Sequence, residues 1–331
     1  MKIGIDLSFS VDPSYSLKLL KVSENAGFDS LWLGDHFMPW HHSFKQSFFV
    51  WPVMAIAAAR TRTIPVGVDV TVPIGGRYHP AIVAQAIGTL SAMYPGRILL
   101  GVGSGEAVSE KRFMQHWPSW NERTQRLAEA VEFMRRLWVE KDFFDFDGRY
   151  FRMKNAFLYV KPKKPVPIYF SAIGEKASYY AGKHGDHIMT VNTWQKCKDT
   201  IFPAFERGAR EAGKDPKRME KTVVVGGGVG NTNRAIRRIR RYLAGALIGA
   251  NFREDDPRKI EESQNQVTDE MILKNYCLSE TADELIEAFD RYRRVGVSHV
   301  IFMDFSSDEK RTTRIFKRKV IPYFKSNRRI R

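Results

Sequence analysis

Residues 1–34, MKIGIDLSFSVDPSYSLKLLKVSENAGFDSLWLG, hold a complete strand–helix–strand unit. KIGIDL (2–7) and SLWLG (30–34) are short and apolar, the pattern of strands covered on both faces. Between them, apolar residues recur at helical spacing over 15–26 and stop at Ala26-Gly27, a C-terminal glycine cap. The unit then repeats. Strands are expected over 2–7, 30–34, 64–72, 97–102, 167–172, 187–191, 221–228 and 299–304. Helices are expected over 15–26, 49–60, 80–94, 121–140, 175–183, 197–212, 234–246 and 282–295, with a last one from about 309. Ala212-Gly213 and Val295-Gly296 repeat the glycine cap. Eight strands, each followed by a helix, make a single (β/α)8 TIM-barrel domain over 1–331. A doubly wound sheet is the alternative, but it rarely strings together so many strict units.

Two stretches interrupt the alternation. DFFDFDGRYFRMKNAFLY (142–159) alternates around Asp147-Gly148 and reads as an inserted hairpin, about 142–160. The polar segment 251–276 follows the seventh strand, so as an insertion on the catalytic face it is placed to cover a site.

Composition narrows the classes. Hydrophobic residues are 43% of the 331, enough for a large core. No apolar run approaches the roughly 18 residues of a membrane span, and the start is too polar for a secretory signal. Cys197 and Cys277 fit neither a disulfide framework nor a metal site, and a reducing cytoplasm is the expected setting. The net charge is +16, concentrated over 234–241 and over 310–331, where ten residues are Lys or Arg. Apolar residues recur at helical spacing between these charges, which describes amphipathic helices with a solvated basic face. An anionic cofactor is a further use for the charge. Nucleic acid is not an expected partner, because no recognition motif accompanies it.

Barrel enzymes react at the C-terminal ends of their strands. After the second strand comes Asp35-His36-Phe37-Met38-Pro39-Trp40-His41-His42. An imidazole here can take a hydroxyl proton, so His36 is the candidate base. Asp35 orients it or binds a polar cofactor edge, and Trp40 walls an apolar pocket. His41 and His42 read as solvated loop residues, and no ligand spacing suggests a metal. After the fourth strand, Gly101-Val102-Gly103-Ser104-Gly105-Glu106 lets a ligand approach backbone N–H groups and ends in a candidate proton donor. Gly226-Gly227-Gly228 after the seventh strand is either a phosphate loop or a flexible turn. Asp69 sits inside an otherwise apolar strand, which demands a partner or a role at the strand mouth.

DHFMPW (35–40), RYHPAIVAQAIGTLSAMYPGR (77–97), GVGSGEA (101–107), FDGRYFRMKNAFLY (146–159), VPIYFSAIG (166–174), AGKHGDHIMTV (181–191) and FERGAREAGKDP (205–216) together span nearly the whole chain. In this order they resemble the luciferase-like family, within it the deazaflavin (coenzyme F420)-dependent oxidoreductases that act on a secondary alcohol or a sugar phosphate. The resemblance implies F420 as cofactor, a homodimer, and a non-prolyl cis peptide at Asp69–Val70 behind the ring. It matches Asp35, Ser104, Gly105, Glu106, Ser109, Ile173 and Gly174 to cofactor-contacting positions. His36 matches the residue that handles the substrate hydroxyl proton, Trp40 the aromatic beside the transferring carbon, and Glu106 the carboxylate near the ring.

Where the sugar-phosphate enzymes of that family place basic residues, this chain aligns Thr193, Glu262 and Asn275. Glu262 there would repel a phosphate, so the expected substrate is a small secondary alcohol or its ketone, with Thr193 and Asn275 lining its site. Ser10 replaces a glutamate of the relatives, and the loop 74–77 is one residue longer. The rival activities within the fold are a sugar-phosphate dehydrogenase, a methylene-tetrahydromethanopterin reductase and an FMN monooxygenase. A basic scaffold without enzyme activity is the rival outside it.

Overall fold

The computed structural model describes residues 1–7, 13–306 and 308–326. Ser10 and the end of the basic C-terminal stretch lie outside the described residues.

Eight parallel strands close into a barrel: β1 Lys2–Asp6, β2 Ser30–Leu33, β3 Val66–Thr71, β4 Ile98–Val102, β5 Ile168–Ser171, β6 His187–Thr190, β7 Lys221–Val229 and β8 His299–Asp304. They pair in sequence order, β8 returns to β1, and β6 meets β7. A short strand, Cys277–Ser279, adds to the outer part of β7. All eight barrel strands fall where the apolar runs placed them. Gly27, Gly213 and Gly296 take positive φ, the conformation that a glycine cap requires.

The interior and the outer layer use different residues. Inside, Trp32, Tyr169, Met189, Val224 and Ile301 fill the barrel, with the Trp32 and Tyr169 rings edge to face at 5.1 Å. Outside, aliphatic and aromatic side chains seal the strands to the helices. At the N-terminal end a polar network closes the floor. Ser30 Oγ receives the Trp32 Nε1–H at 2.8 Å and bonds His299 Nε2 at 2.8 Å, and Tyr169 donates to Glu220 at 3.0 Å.

The hairpin Phe144–Asp147 with Arg152–Ala156 packs on the helix Trp120–Val139, where Phe146 stacks on Phe133 at 4.3 Å. The segment after β7 is larger. Helix Thr232–Leu247 starts at Asn231, whose side chain accepts the Arg234 N–H at 2.9 Å. Short helix Asp269–Asn275 then folds back on it around a second apolar cluster, Ile236, Ile239, Leu243, Val267 and Ile272, while Ile260 of the short helix Pro257–Glu262 packs with Val108 and Ala250.

The triple glycine is neither a turn nor a phosphate loop. Gly226–Gly228 lie inside β7, and a Cβ on Gly226 would stand 2.6 Å from the Tyr276 ring, so the strand is bare there because its neighbours lie against it.

Candidate active site

The strand ends converge on one cavity of about 960 Å³. Its wall takes Asp6 from β1, Asp35 and His36 after β2, Asp69 and Val70 from β3, Gly103 to Glu106 after β4, Ile173 after β5, Asn192 after β6 and Asp304 from β8. Asn251, Phe252, Asn275 and Tyr276 add a side from the insertion after β7, so that insertion helps to enclose the cavity.

β3 carries a bulge at this depth. Val68 faces Leu100 and Thr71 faces Val102, so Asp69 and Val70 stand opposite Gly101 alone. The Asp69–Val70 peptide is cis. A Cβ on Gly101 would lie 2.2 Å from the Val68 carbonyl oxygen, and one on Gly103 2.7 Å from Val70. These two glycines of GVGSG let β3 and β4 close on each other, beyond any approach they allow a ligand.

Three side chains from two strand ends meet at one carboxylate. Trp40 donates its Nε1–H to Glu106 Oε2 at 2.6 Å. His36 Nδ1 stands 4.0 Å from the same oxygen. The His36 and Trp40 rings contact edge to face at 5.1 Å. His36 is partly open to the cavity, its backbone held by the Ser47 hydroxyl at 2.6 Å. This leaves an imidazole poised over open space, beside an acceptor and an apolar wall, an arrangement suited to exchanging a proton with a hydroxyl.

Asp35 points the other way. Its carboxylate is buried, bound by Arg77 and by the Tyr78 hydroxyl at 3.1 Å. Glu110, also buried, lies 3.9 Å from Arg77 Nε, and neither of its carboxylate oxygens has a hydrogen-bond partner. Burial pushes the Glu110 carboxyl up to about 7 despite the Arg77 guanidinium. Burial likewise raises Asp304 to about 6.

Ser104, Gly105, Ser109 and Ile173 line the cavity, Gly105 with φ 88° and Ser109 Oγ 3.5 Å from the Met38 carbonyl. Gly174 is just beyond the wall, at the start of the helix Glu175–His184. Thr193 caps the short helix Trp194–Lys196 and stands outside the lining, whereas Asn275 is part of it.

Two further expectations, besides the place of Thr193, need correction. His41 is not solvated: it is fully buried, with Nδ1 2.9 Å from the Arg241 carbonyl and Nε2 accepting the Gly245 N–H at 3.1 Å. Those bonds fix the proton on Nδ1 and fasten the β2 loop to the helix after β7. Glu262, the residue that argued against a phosphate, is exposed and does not face the cavity. Lys196 and Arg238 do line it, Arg238 with its guanidinium 3.5 Å from Glu309.

Asp6 and Asp304 are strand-end carboxylates that the rule applied after β2 and β4 would also have found at β1 and β8. Lys196 and Arg238 gave no such signal, because they reach the cavity from within helices. Among the described residues no group of three or more His, Cys, Asp or Glu side chains is placed to hold a metal ion, and no helix is long and apolar enough to cross a membrane.

The model of the luciferase-like monooxygenase family matches residues 1–299. The chain belongs to this family. It is 33% identical over 316 residues to the F420-dependent glucose-6-phosphate dehydrogenase of Mycolicibacterium smegmatis, covering 94% of each chain. It is 31% identical over 332 residues to the enzyme of that name from Segniliparus rotundus, covering 98% of each. Its structure is similar to that of an F420-dependent secondary alcohol dehydrogenase in complex with an F420-acetone adduct. The TM-score is 0.93 at 38% identity, over 97% of this chain and 98% of the other.

Proposed function

We propose that this protein is an F420-dependent oxidoreductase that moves a hydride between the carbinol carbon of a small secondary alcohol, or its ketone, and the deazaflavin. One observation carries the reading: His36, Glu106 and Trp40 meet at the mouth of a cavity whose fold matches an alcohol dehydrogenase of that cofactor.

The cavity suits such a group. Its volume is at the upper end of the roughly 300–1,000 Å³ of small-molecule sites. The bulge at Asp69–Val70 and the turn Ser104–Gly105 offer close backbone, and Lys196, Arg123 and Arg238 are cations for an anionic tail. We assign Val70, Ser104, Gly105, Ser109 and Ile173 to the ring and its chain, with Gly174 at the rim. When bound, the deazaflavin supplies the hydride acceptor or donor. The protein supplies the rest. His36 takes the hydroxyl proton as the carbinol is oxidised and returns it in the reverse direction. Glu106 holds the Trp40 indole and lies beside the imidazole that gains charge. Trp40 gives the substrate an apolar wall and excludes water, and Asn275 joins the lining from the inserted segment. Thr193 acts through the local helix it caps.

A second reading, a sugar phosphate as substrate, is favoured by Lys196 and Arg238, a basic pair the cavity wall contains and the aligned positions lack. Titration of the purified protein with F420, followed by turnover against a panel of secondary alcohols and glucose 6-phosphate, separates the readings. Failure to bind F420 overturns both. A His36→Ala variant with full turnover removes His36 as the base. We expect a homodimer in a reducing cytoplasm, and light scattering tests the dimer.

A further inference from the structure

The loop between β3 and the helix Pro80–Met93 reaches the site only from behind, through the residue next to His36. Gly75 turns this loop with φ 89°, its N–H bonded to the Tyr78 carbonyl at 3.0 Å. His79 caps the helix by accepting the Ala81 N–H at 3.2 Å. Arg77 and Tyr78 stand between these fixed points. Arg77 Nη2 donates to the Asp35 carboxylate and, at 3.3 Å, to the Asp35 carbonyl. The Tyr78 hydroxyl donates to the same carboxylate oxygen at 3.1 Å, and the guanidinium lies 4.5 Å from the centre of the Tyr78 ring.

The Asp35 carbonyl belongs to the peptide group that leads into His36. The next carbonyl along, that of His36 itself, accepts from the Ser47 hydroxyl at 2.6 Å. The imidazole is thus carried on two successive peptide groups, each held by a side chain. On its other side the guanidinium borders the loop after β4, with Nε 3.9 Å from Glu110 Oε1, and the Glu110 N–H donates to the Glu106 carbonyl at 3.0 Å. Ser109 Oγ also faces the Met38 carbonyl across the two loops, but at 3.5 Å, too long to hold them firmly.

The Arg77 side chain is 8% exposed and that of Asp35 is fully buried. Taking both charges out of water offsets most of what their attraction returns, so net stability does not account for the pair. Its geometry does. A rigid guanidinium bonded to the side chain and the backbone of one residue leaves that residue little freedom.

We propose that Arg77 is a positioning residue for His36: through Asp35 it fixes the backbone from which the imidazole reaches the cavity, and so sets where the base stands against the substrate hydroxyl. Arg77 is not part of the cavity lining, so it acts through Asp35 alone. The role in turnover rests on the hydride transfer proposed above, whereas the anchoring of the loop does not.

Two variants test this. Arg77→Lys keeps a cation for Asp35 but gives up the planar fork. The double variant D35N/R77M removes both charges, so that no unpaired ion is buried if the first variant fails to fold. In the ligand-free protein, amide hydrogen exchange across 35–40 should run roughly tenfold faster in either variant, with the barrel strands unchanged. Wild-type exchange across 35–40 overturns the anchoring.

Steady-state kinetics test the positioning. Arg77→Lys should lower kcat for alcohol oxidation roughly tenfold with KM little changed, because a small misplacement of a reacting group suffices for that loss. In a His36→Ala background the same substitution should change the residual kcat by less than about twofold, since no base is left to misplace. A wild-type kcat in Arg77→Lys, or an equal loss in both backgrounds, overturns the positioning role. Faster exchange across 35–40 in a chain that binds no F420 upholds the anchoring and overturns the function proposed above.

Discussion

Replacing Glu110 by Gln should stabilise the protein, and only at neutral to alkaline pH. The Glu110 side chain is 1% exposed, its oxygens have no hydrogen-bond partner, and its nearest cation, Arg77, is 3.9 Å away and already engaged by Asp35. Burial, the larger effect, raises its carboxyl from 4.5 to about 7, with Arg77 opposing and Asp35 and Glu106 assisting. The folded chain therefore holds this proton more tightly than the unfolded chain, and stability falls as pH rises from 4.5 through 7. At about 1.4 kcal/mol per pH unit, ionising Glu110 costs the folded state about 3 kcal/mol above pH 7. Gln keeps the shape without the ionisation. Its advantage over wild type should thus be about 3 kcal/mol near pH 8, roughly 4 °C in Tm for a chain of this length, and should vanish toward pH 4.5. Thermal melts of both proteins across that range measure it. A Glu110→Gln variant less stable than wild type at pH 8, or a gap independent of pH, would show that Glu110 stays ionised and paired with Arg77, and the argument from burial would fail.

Trp40→Phe removes the 2.6 Å hydrogen bond to Glu106 but keeps a ring beside His36, so kcat/KM should fall about tenfold, the value of a hydrogen bond to a charged group, with F420 affinity retained. Gly67→Ala places a Cβ 2.5 Å from the fully buried Trp32 ring, and denaturant unfolding should show a loss of about 1–3 kcal/mol, the usual penalty of overpacking. His41→Ala removes the two hydrogen bonds that tie the β2 loop to the Arg241 carbonyl and the Gly245 N–H, and should cost about 1–3 kcal/mol, seen first as faster proteolysis within 232–276. Equal proteolysis of variant and wild type would show that His41 does not fasten that segment.

The barrel was legible because its signal is local. Each strand is covered on both faces by its own fold, so it must be a short apolar run, and each glycine cap marks a helix end whatever lies beyond it. The wall of His36, Glu106 and Trp40 was legible for a related reason, since strand ends in a barrel converge and position along the chain becomes position in space. Contacts between distant elements left no such trace. His41 looked like one more polar loop residue until the helix after β7 closed over it. Glu262 looked like part of a pocket that its helix turns it away from, Arg238 looked like part of a solvated basic face until helix packing set it in the wall, and Lys196 carried no mark at all. Gly226–Gly228 looked like a loop, but Tyr276 and the strand Cys277–Ser279 lie against them. The sequence alone determined the number and order of the strands and the residues at their ends. Tertiary structure decided which ionisable groups are buried, which of them have partners and which face the cavity, because burial and partnership depend on side chains far apart in the chain.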